Sequence, residues 1–146
     1  MITITSISKN DLNGLKTLYD MGFQGLNTDV VKMNENYELI KDNPNYRVLC
    51  AKYEDRVVGS LIGIINIDFK GACKPFMVVE NVIVAEEYRR MGIGNSLMES
   101  IEKVAIEKGC SFIMLVTGTH RTWAQKFYES VGFKGDIVKG YKKFFQ

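Results

Sequence analysis

The chain has 146 residues, 46% hydrophobic and 25% charged, which is enough for one domain with a sizeable core and too apolar for disorder. Nineteen basic against seventeen acidic residues give a formal charge of +2, and apart from Arg89-Arg90 and Lys142-Lys143 the cations are scattered, so no nucleic-acid partner is expected. No basic leader with an apolar segment and no run of membrane-spanning length is present, so a cytoplasmic location without a membrane partner is expected.

In chain order, Ile2, Ile4 and Ile7 with intervening Thr and Ser predict a first strand. Ser8 with Asp11 three residues on predicts a cap for a helix to about Gly22, with Leu12, Leu15, Leu18 and Tyr19 as its buried stripe. A second helix is expected over residues 28–41, stopped by Asn43-Pro44-Asn45. Strands over residues 47–53, 57–69 and 76–85, joined by a hairpin at Glu54-Asp55-Arg56 and a loop at residues 70–75, predict an antiparallel meander. Ile93, Leu97, Met98, Ile101, Val104 and Ala105 recur at helical spacing until Gly109. Residues 110–116 then read as a short apolar strand, central and parallel to the one before the helix. A helix over residues 122–131 and a hairpin over residues 133–145, turning near Lys139-Gly140, close a single α/β domain of residues 1–146 with a mixed sheet.

Cys50, Cys73 and Cys110 are odd in number and far apart, and His120 is the only histidine, so neither a disulfide framework nor a metal site is expected. The informative stretch is residues 78–98, where an apolar run gives way to Arg89-Arg90-Met91-Gly92-Ile93-Gly94 and a helical pattern. Glycines remove side chains that would hold an anion off the backbone, and the first turn of a helix offers unpaired N–H groups and partial positive charge. This suits a pyrophosphate. The dinucleotide fingerprint fails, because Leu97 stands where its third glycine would be, and no Gly-Lys-Ser/Thr follows for a nucleotide-phosphate loop.

The Arg-x-x-Gly-x-Gly pattern after an apolar strand resembles the acyl-CoA pyrophosphate loop of the GNAT superfamily of N-acetyltransferases. Ala124-Gln125-Lys126-Phe127-Tyr128-Glu129-Ser130-Val131-Gly132-Phe133 resembles that family's closing segment, at compatible spacing. The resemblance implies the GNAT fold, a mostly antiparallel sheet with a splayed parallel central pair flanked by helices. It also implies acetyl-CoA as cosubstrate, direct transfer to an amine in a ternary complex, and a possible homodimer. Arg89, Arg90, Met91, Gly92, Ile93, Gly94 and Asn95 correspond to the pyrophosphate loop, and Val82, Ile83 and Val84 to the strand whose backbone meets pantetheine and the oxyanion. Tyr128 corresponds to the general acid that protonates the departing sulfur. Where many members have a cofactor-binding Asn, this chain has Arg121, a candidate for a phosphate contact instead.

Glu80, set among Val78, Val79, Val82 and Ile83, is the candidate base: these neighbours are expected to desolvate it partly, and several family members carry Glu there. A structural ion pair with a nearby Lys or Arg is the competing reading. Glu86 and Glu87 are expected to face solvent. Phe23, Tyr37, Tyr46, Phe69, Trp123 and Tyr141 could line the acceptor pocket. The short chain favours a small-molecule amine, and parts of residues 42–47 and 117–128 resemble bacterial aminoalkylphosphonate and other small-amine acetyltransferases. A protein or peptide N-acetyltransferase and a non-catalytic acyl-CoA-binding sensor remain alternatives.

Overall fold

The computed structural model describes residues 1–146, and the chain falls into two compact units, Met1–Met114 and Leu115–Gln146. In the first, β1 (Ile2–Ser6) leads to Ser8, which starts not α1 itself but a single 3-10 turn, Lys9–Asp11, that runs on into it. The Asp11 carboxylate accepts from the Ser8 N–H at 2.8 Å and the Ser8 hydroxyl at 3.0 Å. It also takes an ion pair from Lys52 at 2.7 Å. Burial alone would raise the Asp11 carboxyl, but Lys52 and Ser8 bring it below the ordinary carboxylate range. The start of α1 (Leu12–Gly22) is thereby tied to the sheet, with Leu12, Leu15 and Leu18 buried and Tyr19 half-buried.

Asp20 draws the next loop back onto α1, accepting from Lys16 at 2.7 Å and from the Thr28 N–H and hydroxyl at 2.9 and 2.7 Å. These bonds hold its carboxyl down at about 2. Next comes α2 (Val30–Ile40), where the Asp29 side chain accepts from the Lys32 N–H. None of its residues is fully buried.

The meander is β2 (Tyr46–Tyr53), β3 (Arg56–Asn66) and β4 (Phe76–Val84), all antiparallel, with β1 beside β2. Glu54 and Asp55 at φ of 47° and 66° form the two-residue turn whose left-handed backbone matches strand twist. α3 (Ile93–Glu107) follows β4, ends before Gly109 at φ 74°, and leads to β5 (Ile113–Met114), which is parallel to β4.

Two expectations are corrected here. The strand expected over residues 110–116 has only two paired residues and lies at the edge of the five-stranded sheet, not its centre. The expected hairpin over residues 133–145 is absent. Adjacent apolar pairs, Ile137-Val138 and Phe144-Phe145, put one apolar side chain on each face of any strand, and all four are more than two thirds exposed.

The faces of the sheet follow from register. Gly59, Gly63, Val79 and Met77 lie under α3, where Cβ atoms on the two glycines would meet Ile93, Leu97 and Ile101. Cys50, Val57 and Ile83 face the opposite way and pack on Leu15 and Leu18 of α1. A Cβ at Gly63 would come within 2.6 and 2.8 Å of the Ile101 side chain and 3.1 Å of the Met77 sulfur. Gly63→Ala should therefore destabilise the protein by about 2 kcal/mol through overpacking, measurable as a lower midpoint in urea; an unchanged midpoint would contradict the close fit of α3.

The second unit contains α4 (Thr122–Ser130), with Ala124 and Tyr128 buried. Gly132 at φ 101° ends it, and the Phe133 N–H returns to the Tyr128 carbonyl at 3.0 Å.

Candidate active site

An interruption of β4 shapes the site. Glu80 stands opposite Ile62 and Ile83 opposite Ser60, so Asn81 and Val82 together face the single residue Leu61. This is a β-bulge, and Asn81 takes the left-handed conformation at φ 53°, which asparagine tolerates better than most residues. The bulge also exchanges faces: Val79 lies on the α3 side and Ile83 on the α1 side although both are buried.

On its other flank β4 loses its neighbour. Pairing with β5 covers only Met77 with Ile113 and Val78 with Met114, so residues 79–84 of β4 pair on one side alone. The Ala85 N–H donates to the Val58 carbonyl at 2.8 Å, so the peptide groups of Val84 point the other way. The Val84 carbonyl accepts from Arg89 Nε at 3.2 Å on that side. The same alternation turns Val82 outward. Ile83 instead directs its peptide to Ser60 and its side chain, 6% exposed, into the α1 core.

Glu80 is exposed, so the desolvation expected from its apolar neighbours does not occur. Val79 points to the opposite face and the bulge carries Ile83 away, leaving the carboxylate on an open surface. No ion pair holds it, unlike Asp11 or Glu87.

The turn leaving β4, Glu86–Tyr88, is anchored at the β2–β3 hairpin. Glu87 pairs with Arg56 at 3.0 Å, and the Tyr88 ring lies 5.7 Å from both the Tyr53 ring and the Arg56 guanidinium. Both Glu86 and Glu87 are exposed, as expected. Arg90 and Gly92 then adopt φ of 65° and 79°, and α3 starts at Ile93 with no side chain capping it. The Ser96 N–H donates to Gly92 at 3.0 Å, which leaves the Ile93, Gly94 and Asn95 amides at the open helix end. Ile93, 2% exposed, fixes this turn to the core, while Arg89, Arg90, Met91 and Gly92 are exposed. An uncapped first turn, a left-handed glycine with nothing within 4 Å of a Cβ, and two exposed cations fit a diphosphate.

In the second unit Arg121 precedes α4 and lies 4.8 Å from the Trp123 ring centroid. Tyr128, 8% exposed, is ringed by Phe127 at 5.4 Å and Phe133 at 6.1 Å. Burial pushes its hydroxyl above the ordinary phenol range, partly offset by the Arg121 charge, so it stays protonated at neutral pH. Of the expected acceptor aromatics, Phe69, Trp123 and Tyr141 are 94%, 57% and 89% exposed, whereas Phe23, Tyr37 and Tyr46 are half-buried.

Cys50 has no exposure and its thiol is pushed up to about 11, chiefly by burial and also by the Asp11 charge. Burial raises Cys110 as well. Neither suits a nucleophile at neutral pH. A shallow depression of about 400 Å³ between Lys9 and α2 shares no residue with β4 or its exit and lies outside the site.

Sequence reasoning missed Asn81, and it placed Tyr19 only in the buried stripe of α1. The Tyr19 hydroxyl is shut off from solvent without a hydrogen bond, beside the Asn81 and Ser60 side chains that temper the effect of its burial. The available signal was Glu80-Asn81 itself, two consecutive polar residues that break a period of two in an apolar strand.

Residues 14–133 match the family described as Acetyltransferase (GNAT) family. Human N-acetyltransferase 8 is 32% identical over 84 residues, 58% of this chain and 37% of that protein. Glucosamine 6-phosphate N-acetyltransferase of Trypanosoma brucei brucei is 28% identical over 88 residues, 60% of this chain and 58% of that protein. The matched segments thus span less than two thirds of these relatives. Among solved structures, a transcriptional regulator from Bacillus halodurans C-125 superposes with a TM-score of 0.89 at 26% identity, covering 99% of this chain and 100% of the other. The aminoglycoside acetyltransferase AAC(6')-Iy bound to a bisubstrate analogue has the same fold at a TM-score of 0.79 and 20% identity, covering 99% of both chains. With a match over most of its length and the β4 splay and uncapped α3 turn in place, the chain belongs to the GNAT family of acetyltransferases.

Proposed function

We propose that the protein transfers the acetyl group of acetyl-CoA to a primary amine of a small molecule by direct attack in a ternary complex. One observation carries this reading: β4 loses its β5 neighbour after Val78, and the chain leaving it runs into an uncapped helix turn beside two arginines. An extended thioester arm needs the open strand edge, and its diphosphate needs the turn. Acetyl-CoA, when bound, supplies the activated acyl group.

In this proposal the amides at residues 92–95, with Arg89 and Arg90, hold the diphosphate, and Arg121 adds a phosphate contact. The outward peptide groups of Val82 and Val84 meet the pantetheine and the carbonyl oxygen, whose developing charge an N–H donor stabilises. Glu80 takes the proton from the ammonium, directly or through water. Tyr128 gives a proton to the departing sulfur, a role suited to a phenol kept protonated by burial.

The names of relatives support a small acceptor, since one is a glucosamine 6-phosphate and another a thialysine N-epsilon-acetyltransferase. A thiol-release assay over aminoalkylphosphonates, polyamines, amino acids and amino sugars tests the reading, with calorimetry on coenzyme A. Acetyl-CoA binding with turnover of at least one amine is expected. Binding without turnover of any amine would favour a sensor, turnover of peptides alone a protein acetyltransferase, and absence of binding would end the proposal. Tyr128→Phe should lower kcat about tenfold, because a thiol with a pKa near ~8.5 leaves tolerably well unaided. A loss beyond a thousandfold, or none, would remove Tyr128 from that role.

A further inference from the structure

The sheet face that carries Glu80 is covered at one end and open at the other. In the row Cys50, Ser60 and Ile83, register places all three side by side, and each is buried where α1 packs on this face. The next row is Val48, Ile62 and Glu80, and the one after it Tyr46, Ile64 and Val78. In these rows Ile62, Ile64 and Val78 on β3 and β4 are only half-buried and Glu80 is exposed, whereas at the β2 end Val48 is buried and, with Tyr46, borders Tyr37, Ile40 and Lys41 of α2. The open part of the face, over β3 and β4, is therefore an apolar strip whose one charged group is a carboxylate. Resting on the function proposed above, we infer that the acceptor is an amine on an apolar body, an arylalkyl or alkyl amine, with its nitrogen at Glu80 and its body across Ile62, Ile64 and Val78.

Geometry and charge both select this class. Successive rows on one face are about 7 Å apart and neighbouring strands about 5 Å, so a body reaching Ile64 and Val78 from Glu80 spans roughly the length of a ring on a two-carbon arm. Covering half-buried isoleucine and valine with apolar surface is favourable, whereas a sugar hydroxyl laid there would lose its water without a partner. A polyamine would place its second cation over the same apolar strip. The carboxylate complements one ammonium and no more.

The test compares kcat/KM for small amines that differ in the polarity of the body: phenethylamine and hexylamine against glucosamine and putrescine, in the full chain with saturating acetyl-CoA. The apolar amines should be preferred at least tenfold. Ile62→Thr and Ile64→Thr keep β-branched strand residues while adding a hydroxyl to the strip. Each should lower kcat/KM for phenethylamine about tenfold through KM, leaving the KM for acetyl-CoA within twofold, and Ile64→Val should retain most activity. Preference for glucosamine or putrescine, or variants that leave phenethylamine KM unchanged, would overturn this inference while the acetyltransferase reading stands. A wild-type protein that acetylates none of the amines fails at the earlier proposal instead.

Discussion

Replacing Glu80 with Gln should lower kcat for amine acetylation by about 10²- to 10³-fold at neutral pH, with the dissociation constant for acetyl-CoA unchanged within about twofold. An alkyl amine with a pKa near ~10 is almost wholly protonated at neutral pH, and only its neutral form attacks a thioester. A carboxylate on the strip can both attract the ammonium and take its proton. Because Glu80 is exposed and held by no ion pair, it is free to make that contact, and its replacement by an amide leaves no buried charge behind. The loss is then chemical and not one of folding. A signature separates the two: activity of Glu80→Gln should climb steadily as pH approaches the pKa of the free amine, because solvent then supplies the neutral nucleophile. Glu80→Asp should keep part of the rate. If Glu80→Gln turns over at a rate within threefold of the wild type at neutral pH, proton removal belongs to another group and the strip loses its anchor.

Much of the fold was legible because local signals agreed. Ser8 and Asp11 announced the 3-10 turn that runs into α1, and the three-and-four spacing from Ile93 to Ala105 gave α3 with its buried residues as expected. The meander followed from β-rich runs split by short polar links too brief for a crossover helix. What failed was the end of the sheet. An apolar run such as residues 110–116 fixes no partner, and only Ile113 and Met114 find one. Phe112, Met114 and Val116 remain 49%, 45% and 62% exposed. Pattern alone could not show how many of those residues would pair.

The site divides along similar lines. The turn at Arg89 to Asn95 was legible because glycine and a following helix pattern carry a conformational meaning of their own. The role of the strand before it was legible only through resemblance. The bulge at Asn81 decides where Glu80, Ile83 and Val84 point, and a single extra residue changes the face of everything after it. A desolvated Glu80 was inferred from neighbours along the chain. Exposure in a strand depends instead on neighbours across it, which here are Ile62 and an uncovered surface.

Gly92→Ala should weaken acetyl-CoA binding by about 10²-fold while leaving thermal stability nearly unchanged. Gly92 has φ 79°, a conformation that costs an L-residue roughly 1–2 kcal/mol, and a Cβ there would meet no protein atom within 4 Å. The substitution therefore strains the backbone without crowding the fold. The turn can relieve that strain by rotating, which misdirects the amides following it. Each N–H bond to a charged oxygen contributes about 1.5–3 kcal/mol, so one bond lost when the turn rotates reaches the expected hundredfold by itself. Arg90 offers an internal control, since it already holds φ 65° without being glycine. Arg90→Gly relieves that strain and removes a cation, so it should stabilise the fold slightly while weakening binding in a salt-dependent way. Gly92→Ala, acting through geometry, should show a salt dependence like the wild type. Calorimetric titration with coenzyme A at two ionic strengths reads both effects, and equal binding by Gly92→Ala and wild type would place the diphosphate somewhere other than the start of α3.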